Sequence, residues 1–138
     1  MKLLREIAML HDIGKLGIQE SILNKRGNLD EKEWAIVKKH PIIGEKILRE
    51  VFLDKEILEA IRHHHEHYNG KGYPDGLKEE EINIMAQIIS VVDAYDAMTS
   101  RRPYRGPFTK EEAIKELLRK KGTQFNPKIV DIFIQVLP

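Results

Sequence analysis

The stretch INIMAQIISVVDAYDAMTS, residues 82–100, decides the fold class of this chain. Its apolar residues recur every three or four positions, and the predicted inward stripe consists of Ile82, Met85, Ile89, Val92 and Asp96. This spacing is typical of one face of an α-helix, whereas a half-buried strand would alternate with a period of two. The following residues RRPYRGP, 101–107, break the pattern. One long helix is therefore predicted.

The same helical periodicity appears on both sides of this stretch. Further helices are predicted over residues 2–11, from about 30, and over 41–51, 54–65, 110–120 and 127–136. Their starts carry capping signals: Asp30 with Glu33, Thr109 with Glu112, Asp54, and Asn126 before Pro127.

Residues 67–78, HYNGKGYPDGLK, hold three Gly and one Pro and are predicted to form a loop. No part of the sequence sustains the alternation of a strand. The pattern predicts an all-α bundle that forms one domain over residues 1–138, with 109–138 as its C-terminal helical pair.

Composition excludes several classes of protein. The 138 residues carry 23 Lys and Arg against 22 Asp and Glu, which fits neither a disordered chain nor a polycation that coats nucleic acid. Cysteine is absent, so disulfides and thiolate metal sites are excluded. No apolar run approaches the roughly 18 residues that span a bilayer, and the N-terminus is charged. A cytoplasmic protein without membrane insertion is predicted.

Six residues of metal-ligand type lie at the ends of apolar helical stripes, where their side chains face the core. They are His11, Asp12, His40, His64, His65 and Asp93. Burying carboxylates and imidazoles in an apolar interior is unfavourable unless each has a partner, and a metal cluster would satisfy all of them together. A single histidine at such a position is more often a hydrogen-bonded core residue, but six that converge favour a metal site.

These donors are nitrogen and oxygen only, which favours iron, manganese, zinc or magnesium. Neighbouring residues on a helix project about 100° apart, so His64 and His65 are expected to serve different ions. Asp12 is then a candidate bridge, and two metals are indicated.

A second group of residues is cationic and lies in the loops that follow these helices: Lys15, Lys25, Lys71, Arg101, Arg102 and Arg105. Cations in this position indicate an anionic, phosphate-bearing substrate, and the alternative is a solvated basic loop. For Lys25 and Lys71 the two interpretations carry equal weight, whereas the rigid Pro103-Tyr104 element favours function for Arg102 and Arg105. Asp96 is predicted to face inward and to pair with Lys15 or with a ligating imidazole.

Three motifs in order resemble the HD-GYP family of bacterial phosphodiesterases: HDIGK at 11–15, HHEHYNGKGYP at 64–74 and DAYDAMTSRRPYR at 93–105. HPIIG at 40–44 and the ending GTQFNPKIVDIF at 122–133 extend the resemblance to about residues 1–135. The resemblance implies an HD-type metallophosphohydrolase bundle that hydrolyses cyclic di-GMP to pGpG or GMP.

The resemblance also implies residue roles. The six residues above would hold two or three divalent ions, iron or manganese first, with zinc, magnesium or nickel as alternatives. Lys15, Asp12 and Asp96 are the catalytic candidates. The substrate-binding candidates are Lys15, Arg102, Arg105 and the pocket wall Gly72, Tyr73 and Pro74. Regulatory sensory domains are expected outside these residues.

Members of this family carry helices before the HD motif, with a further ligand, whereas ten residues precede His11 here. An incomplete metal centre is therefore expected. The stripes Leu4-Ile7-Leu10 and Ile82-Met85-Ile89 are expected to lack a partner and to drive homo-oligomerisation. Two alternatives stay open: an inactive signalling or interaction module, and a phosphohydrolase for another cyclic nucleotide.

Overall fold

The computed structural model describes residues 2–51, 54–102 and 106–138. Within these ranges the helices are α1 Lys2–Leu10, α2 Glu20–Leu23, α3 Glu31–Val37, α4 His40–Arg49, α5 Lys55–His63, α6 Ile84–Thr99, α7 Lys110–Arg119 and α8 Pro127–Val136. Two 3-10 turns cover Ile13–Gly17 and Glu79–Glu81. Isolated bridges stand in place of strands in the described residues, so the predicted all-α fold is confirmed. None of the described helices is both long and apolar enough to cross a bilayer.

The predicted helix starts are confirmed by their caps. Asp30 with Glu33 and Thr109 with Glu112 each form a complete capping box, in which side chain and backbone bond reciprocally. The Asn126 carboxamide accepts from the backbone of α8, which begins at Pro127. Each such cap contributes about 1 kcal/mol to stability, so neighbouring residues determine where these helices begin.

A first apolar core joins α1, α4, α5 and α6. Its buried members are Ile7, Leu48, Ile57, Ala60, Ile61, Ile82, Ala86 and Ile89. Leu4, Leu10 and Met85 pack against it. The expectation that the stripes of α1 and α6 lack a partner is therefore wrong, because the two stripes share one core. The predicted oligomer has no support from them.

A second core lies on another face of α6. Val91 packs there with Leu117 of α7, Val130 of α8 and Phe125 between them. Since α6 is covered on two sides, its single predicted stripe is wrong in part: Val92 remains 39% exposed. The buried Gln87 joins the two regions, because its amide donates to the Ile82 carbonyl and its oxygen accepts from Asn126.

Candidate metal centre

Six side chains from four parts of the chain meet at one end of the first core. His11 and Asp12 follow α1, His40 opens α4, His64 and His65 follow α5, and Asp93 belongs to α6. Four of them offer ligand atoms that all lie within 4.8 Å of one another: Asp12, His40, His64 and His65. His11 adjoins this group, with its Nε2 3.4 Å from Asp93 Oδ1 and its ring centroid 5.2 Å from that of His64.

Gly14 and Gly44 allow the 3-10 turn after α1 to pack closely against helix α4. A Cβ on Gly14 would lie 1.7 Å from the His40 carbonyl oxygen and 2.6 Å from the Gly44 nitrogen. The 3-10 turn therefore sits directly on the first turn of α4. Asp12 consequently reaches His40, and the two side chains approach to 3.3 Å.

Backbone carbonyls orient three of the imidazoles in the same way. In each, Nδ1 donates to the carbonyl three residues earlier: His11 to Ala8 at 2.8 Å, His40 to Val37 at 2.8 Å and His64 to Ile61 at 2.6 Å. A carbonyl can only accept, so Nδ1 is the donor in each ring, and when the ring is neutral Nε2 offers its lone pair. This arrangement, an outer carbonyl fixing the tautomer of the ring, is typical of metal-binding histidines.

The Nε2 atoms of these rings face one another inside the protein. His40 Nε2 lies 3.3 Å from His64 Nε2, and both residues are almost fully buried. Among the described residues, His11 Nε2 is buried and forms no hydrogen bond, although Asp93 Oδ1 lies 3.4 Å away. Buried polar atoms without partners are rare in native proteins. These nitrogen atoms fit a divalent cation, which would accept the Nε2 lone pairs of all three imidazoles.

The electrostatics favour neutral imidazoles at His64 and His65 beside a charged Asp12 carboxylate. Burial, with His65 nearby, holds the pKa of His64 well below its ordinary value, and burial and His40 lower the pKa of His65 to about 3. Burial opposes ionisation of Asp12, but hydrogen bonds from His40 and Lys15 outweigh it and depress the Asp12 pKa. The group therefore combines lone pairs and negative charge, as a cation requires.

His11 and Asp93 form the more polar side of the cluster. Burial lowers the pKa of His11, but the carboxylates of Asp93 and Asp12 outweigh it and raise the pKa overall. The same His11 imidazole lowers the pKa of Asp93.

The prediction that His64 and His65 serve different ions stays a prediction. Both residues lie at the C-terminal end of α5, whose last residue is His63. Their ring centroids are 4.1 Å apart, and both offer a nitrogen to the same group of ligand atoms.

Residues 67–78 form a loop, as the sequence predicts, and this loop forms one wall of the site. Tyr73 stacks on His65 with ring centroids 5.1 Å apart, and Pro74 follows it through a cis peptide bond. Burial and the charges of Asp12 and Asp93 raise the pKa of Tyr73 to about 12. A Cβ on Gly72 would lie 2.5 Å from the His65 carbonyl oxygen, so the loop lies directly against the ligand segment.

Sequence reasoning missed Glu66, which anchors this loop. Its buried carboxylate accepts hydrogen bonds from the backbone nitrogens of Asp75, Gly76 and Leu77, at 2.6, 3.1 and 3.1 Å. An acidic residue directly before a Gly-rich turn, which offers many free N–H groups, was the available signal.

A second group of ligand-type residues lies nearby but is already satisfied. His63, Glu66 and Asp75 approach within 4.8 Å of one another. Asp75, however, accepts from Arg62 and lies 2.8 Å from His63 Nε2, while Glu66 is occupied by the loop backbone.

Asp96 does not face inward, and that prediction is wrong. It is exposed and accepts a hydrogen bond from Ser100 Oγ at 3.3 Å. The reason is that Asp96 shares the face of Ile89, two turns further along α6, whereas the buried residues of the first core end at Ile89 and Val92 is already exposed. Lys15 pairs instead with Asp12, at 2.6 Å from Oδ2.

The remaining cations divide into three cases. Lys25 bonds Glu33 at 2.6 Å, which accounts for it structurally. Lys71, Arg101 and Arg102 are exposed, and the last two follow the residue that caps the C-terminus of α6, Ser100. Arg105, with Pro103 and Tyr104, lies outside the described residues.

Known protein sequences are similar to this chain over nearly its whole length. The family profile described as HD domain matches residues 3–129. A cyclic di-GMP phosphodiesterase from Thermotoga maritima is 44% identical over 133 residues, 94% of this chain and 36% of that protein. A cyclic di-GMP phosphodiesterase response regulator from Xanthomonas campestris is 40% identical over 98% of this chain and 36% of its own length. A 3'3'-cGAMP-specific phosphodiesterase from Vibrio cholerae is 38% identical, over 96% of this chain and 26% of its own length. The chain thus spans about a third of these relatives.

Two solved structures are similar in fold to nearly the whole of this chain. An HDG"Y"P protein from Bdellovibrio bacteriovorus superposes with a TM-score of 0.75 at 26% identity, over 97% of this chain and 42% of that protein. A cyclic GMP-AMP specific phosphodiesterase from Vibrio cholerae has a TM-score of 0.70 at 20% identity, over 97% and 37% of the two chains, and shares the fold.

Proposed function

Because this chain belongs to the HD domain family, we propose that it is a metal-dependent phosphodiesterase of cyclic dinucleotides. Its resemblance to the HD-GYP proteins is confirmed by the relatives and the structure described above. The observation that carries the proposal is the convergence of buried imidazole Nε2 atoms on the Asp12 carboxylate. Cyclic di-GMP is the first candidate substrate, with pGpG or GMP as the product.

We assign two or three divalent ions, iron or manganese, to His11, Asp12, His40, His64, His65 and Asp93. The two oxygens of Asp12 support its role as a bridge, because Oδ1 lies 3.3 Å from His40 Nε2 and Oδ2 lies 3.7 Å from His11 Nε2. Bound divalent ions of this kind polarise phosphate oxygens and make water a competent nucleophile at neutral pH.

The chain's own residues would bind and orient the diester. Lys15 is held beside Asp12 but remains 42% exposed at its side chain, so its ammonium can also donate to a phosphate oxygen or protonate the leaving oxygen. Arg102 and Arg105 would bind phosphate through their guanidinium groups. Tyr73 keeps its hydroxyl proton at neutral pH, since its pKa is about 12, and can donate a hydrogen bond to the substrate.

A second candidate substrate is 3'3'-cGAMP. The relatives that act on it are nearly as similar to this chain as those that act on cyclic di-GMP, at 38% against 40 and 44% identity. The shared chemistry is a phosphodiester within a cyclic dinucleotide.

The proposal is tested by hydrolysis assays on the purified chain. Protein loaded anaerobically with Fe(II) or Mn(II) is incubated with cyclic di-GMP and, separately, with 3'3'-cGAMP, and products are separated by chromatography. We expect linear dinucleotide or mononucleotide with at least one substrate, and none from a His64→Ala, His65→Ala double variant. Metal-loaded protein that neither binds nor hydrolyses either compound would overturn the proposal.

A further inference from the structure

A lysine lies between two aromatic rings beside the candidate metal centre. Lys38 Nζ is 5.5 Å from the centroid of the Tyr73 ring and 5.8 Å from that of Trp34. Both distances lie within the range of a cation–π contact. Tyr73 in turn stacks on His65, so a continuous row leads from the metal cluster to Trp34.

Local helical geometry accounts for this row. Trp34 lies in α3 and Lys38, four residues later, caps its C-terminus. The Lys38 backbone nitrogen donates to the Trp34 carbonyl at 3.0 Å, so the two side chains lie on the same side of the helix end. His40 follows two residues later and is almost fully buried in the cluster. The same turn of chain that brings a candidate metal ligand into the site thus brings Lys38 to its edge.

The charge of Lys38 is not neutralised by a carboxylate. Among the described residues it forms no ion pair, unlike Lys15 with Asp12 and Lys121 with Asp131. Trp34 is 45% exposed, so part of its ring is open to a ligand. A positive charge beside an open aromatic ring complements a ligand that carries both a phosphate and a planar base.

We propose that Trp34 and Lys38 form a substrate subsite, in which the indole stacks on one base and the ammonium contacts a phosphate oxygen away from the metals. This inference rests on the proposed function and deepens it. The subsite would distinguish a cyclic dinucleotide from a small phosphodiester, because only the dinucleotide carries a second phosphate and a purine base to occupy it.

Trp34 is the only tryptophan of the chain, which gives the test a direct signal. Metal-loaded protein is mixed with cyclic di-GMP or 3'3'-cGAMP in a stopped-flow instrument, with tryptophan excited at a wavelength the bases do not absorb. We expect saturable quenching with the dinucleotide and none with bis(p-nitrophenyl) phosphate at concentrations where it is hydrolysed. Equilibrium dialysis gives the dissociation constant independently.

Variants separate a substrate contact from a merely structural role. Lys38→Met should raise the dissociation constant and KM for the dinucleotide about tenfold, the cost of one charge-assisted contact, with a much smaller effect on kcat. Its effect on the small diester should be several times weaker, and its metal content unchanged. Lys38→Arg should restore affinity, and Trp34→Phe should weaken it less than Trp34→Ala.

Lys39→Met is the matched control, because it removes an equal charge from the exposed neighbouring residue. Equal losses on both substrates, or loss of metal in Lys38→Met, would overturn the inference and make Lys38 a support for Tyr73. A wild-type protein that hydrolyses the dinucleotide without quenching would also overturn it, while the proposed function would stand. If dialysis detects no dinucleotide binding at all, the proposed function fails and the subsite with it.

Discussion

The Nε2 atoms of His40 and His64 lie 3.3 Å apart, while Nδ1 of each ring donates to a backbone carbonyl. The two Nδ1 atoms are therefore occupied, and the two Nε2 atoms face each other in the interior. A buried arrangement of this kind is unfavourable unless a cation lies between or beside the two atoms. The buried cluster therefore requires a bound cation, which the side chains of the protein do not supply.

Metal removal should therefore destabilise the fold. Ligand at a hundredfold excess over its dissociation constant contributes about 2.7 kcal/mol to stability, so we expect the Tm to rise by several degrees on adding Mn(II) or Fe(II) to chelated protein. Differential scanning calorimetry measures the shift. Equal Tm values with and without metal would show that the cluster does not bind it.

Gly14→Ala should lower the free energy of unfolding. Its Cβ would lie 1.7 Å from the His40 carbonyl oxygen, which is backbone and cannot move independently. Overpacking costs about 1–3 kcal/mol, and separation of the 3-10 turn from α4 should also weaken metal binding. Urea denaturation gives the comparison, with Gly106→Ala as control because a Cβ there meets nothing within 4 Å. Equal stability of the two variants would contradict the close packing.

Arg102→Ala should weaken cyclic di-GMP binding while metal content stays constant, because a guanidinium contacts phosphate and not metal ions. The expected loss of affinity is about tenfold, which corresponds to one charged contact. Equilibrium dialysis and metal analysis are made on the same samples, and Arg101→Ala is the control at the neighbouring exposed position. Loss of metal in Arg102→Ala would mean that its placement is wrong.

Asp75 should make stability dependent on acid pH. Arg62 and His63 outweigh burial and lower the Asp75 pKa from 3.8 to about 2, so its contribution is present above pH 4 and is lost as pH falls toward 2. The stability difference between wild type and Asp75→Asn should therefore shrink between pH 5 and pH 3 in chelated protein, as measured by urea denaturation. A difference that is constant or grows would contradict the assignment.

How far the sequence predicts this molecule depends on how local each signal is. Capping boxes such as Asp30 with Glu33 involve neighbouring residues and were predicted correctly. Asp96 was misplaced because a periodic stripe does not reveal where along α6 the first core ends. The contact of Lys38 with Tyr73 joins residues 35 positions apart and leaves no local pattern.

Metal content of the whole chain tests the central claim most directly. The claim predicts bound iron or manganese after anaerobic purification, and its loss in the double variant His64→Ala, His65→Ala. His63→Ala should keep the metal, because that neighbouring imidazole bonds Asp75 outside the cluster. Elemental analysis per chain decides the matter: metal lost only from the double variant is the predicted result, and metal unchanged in the double variant would contradict the account.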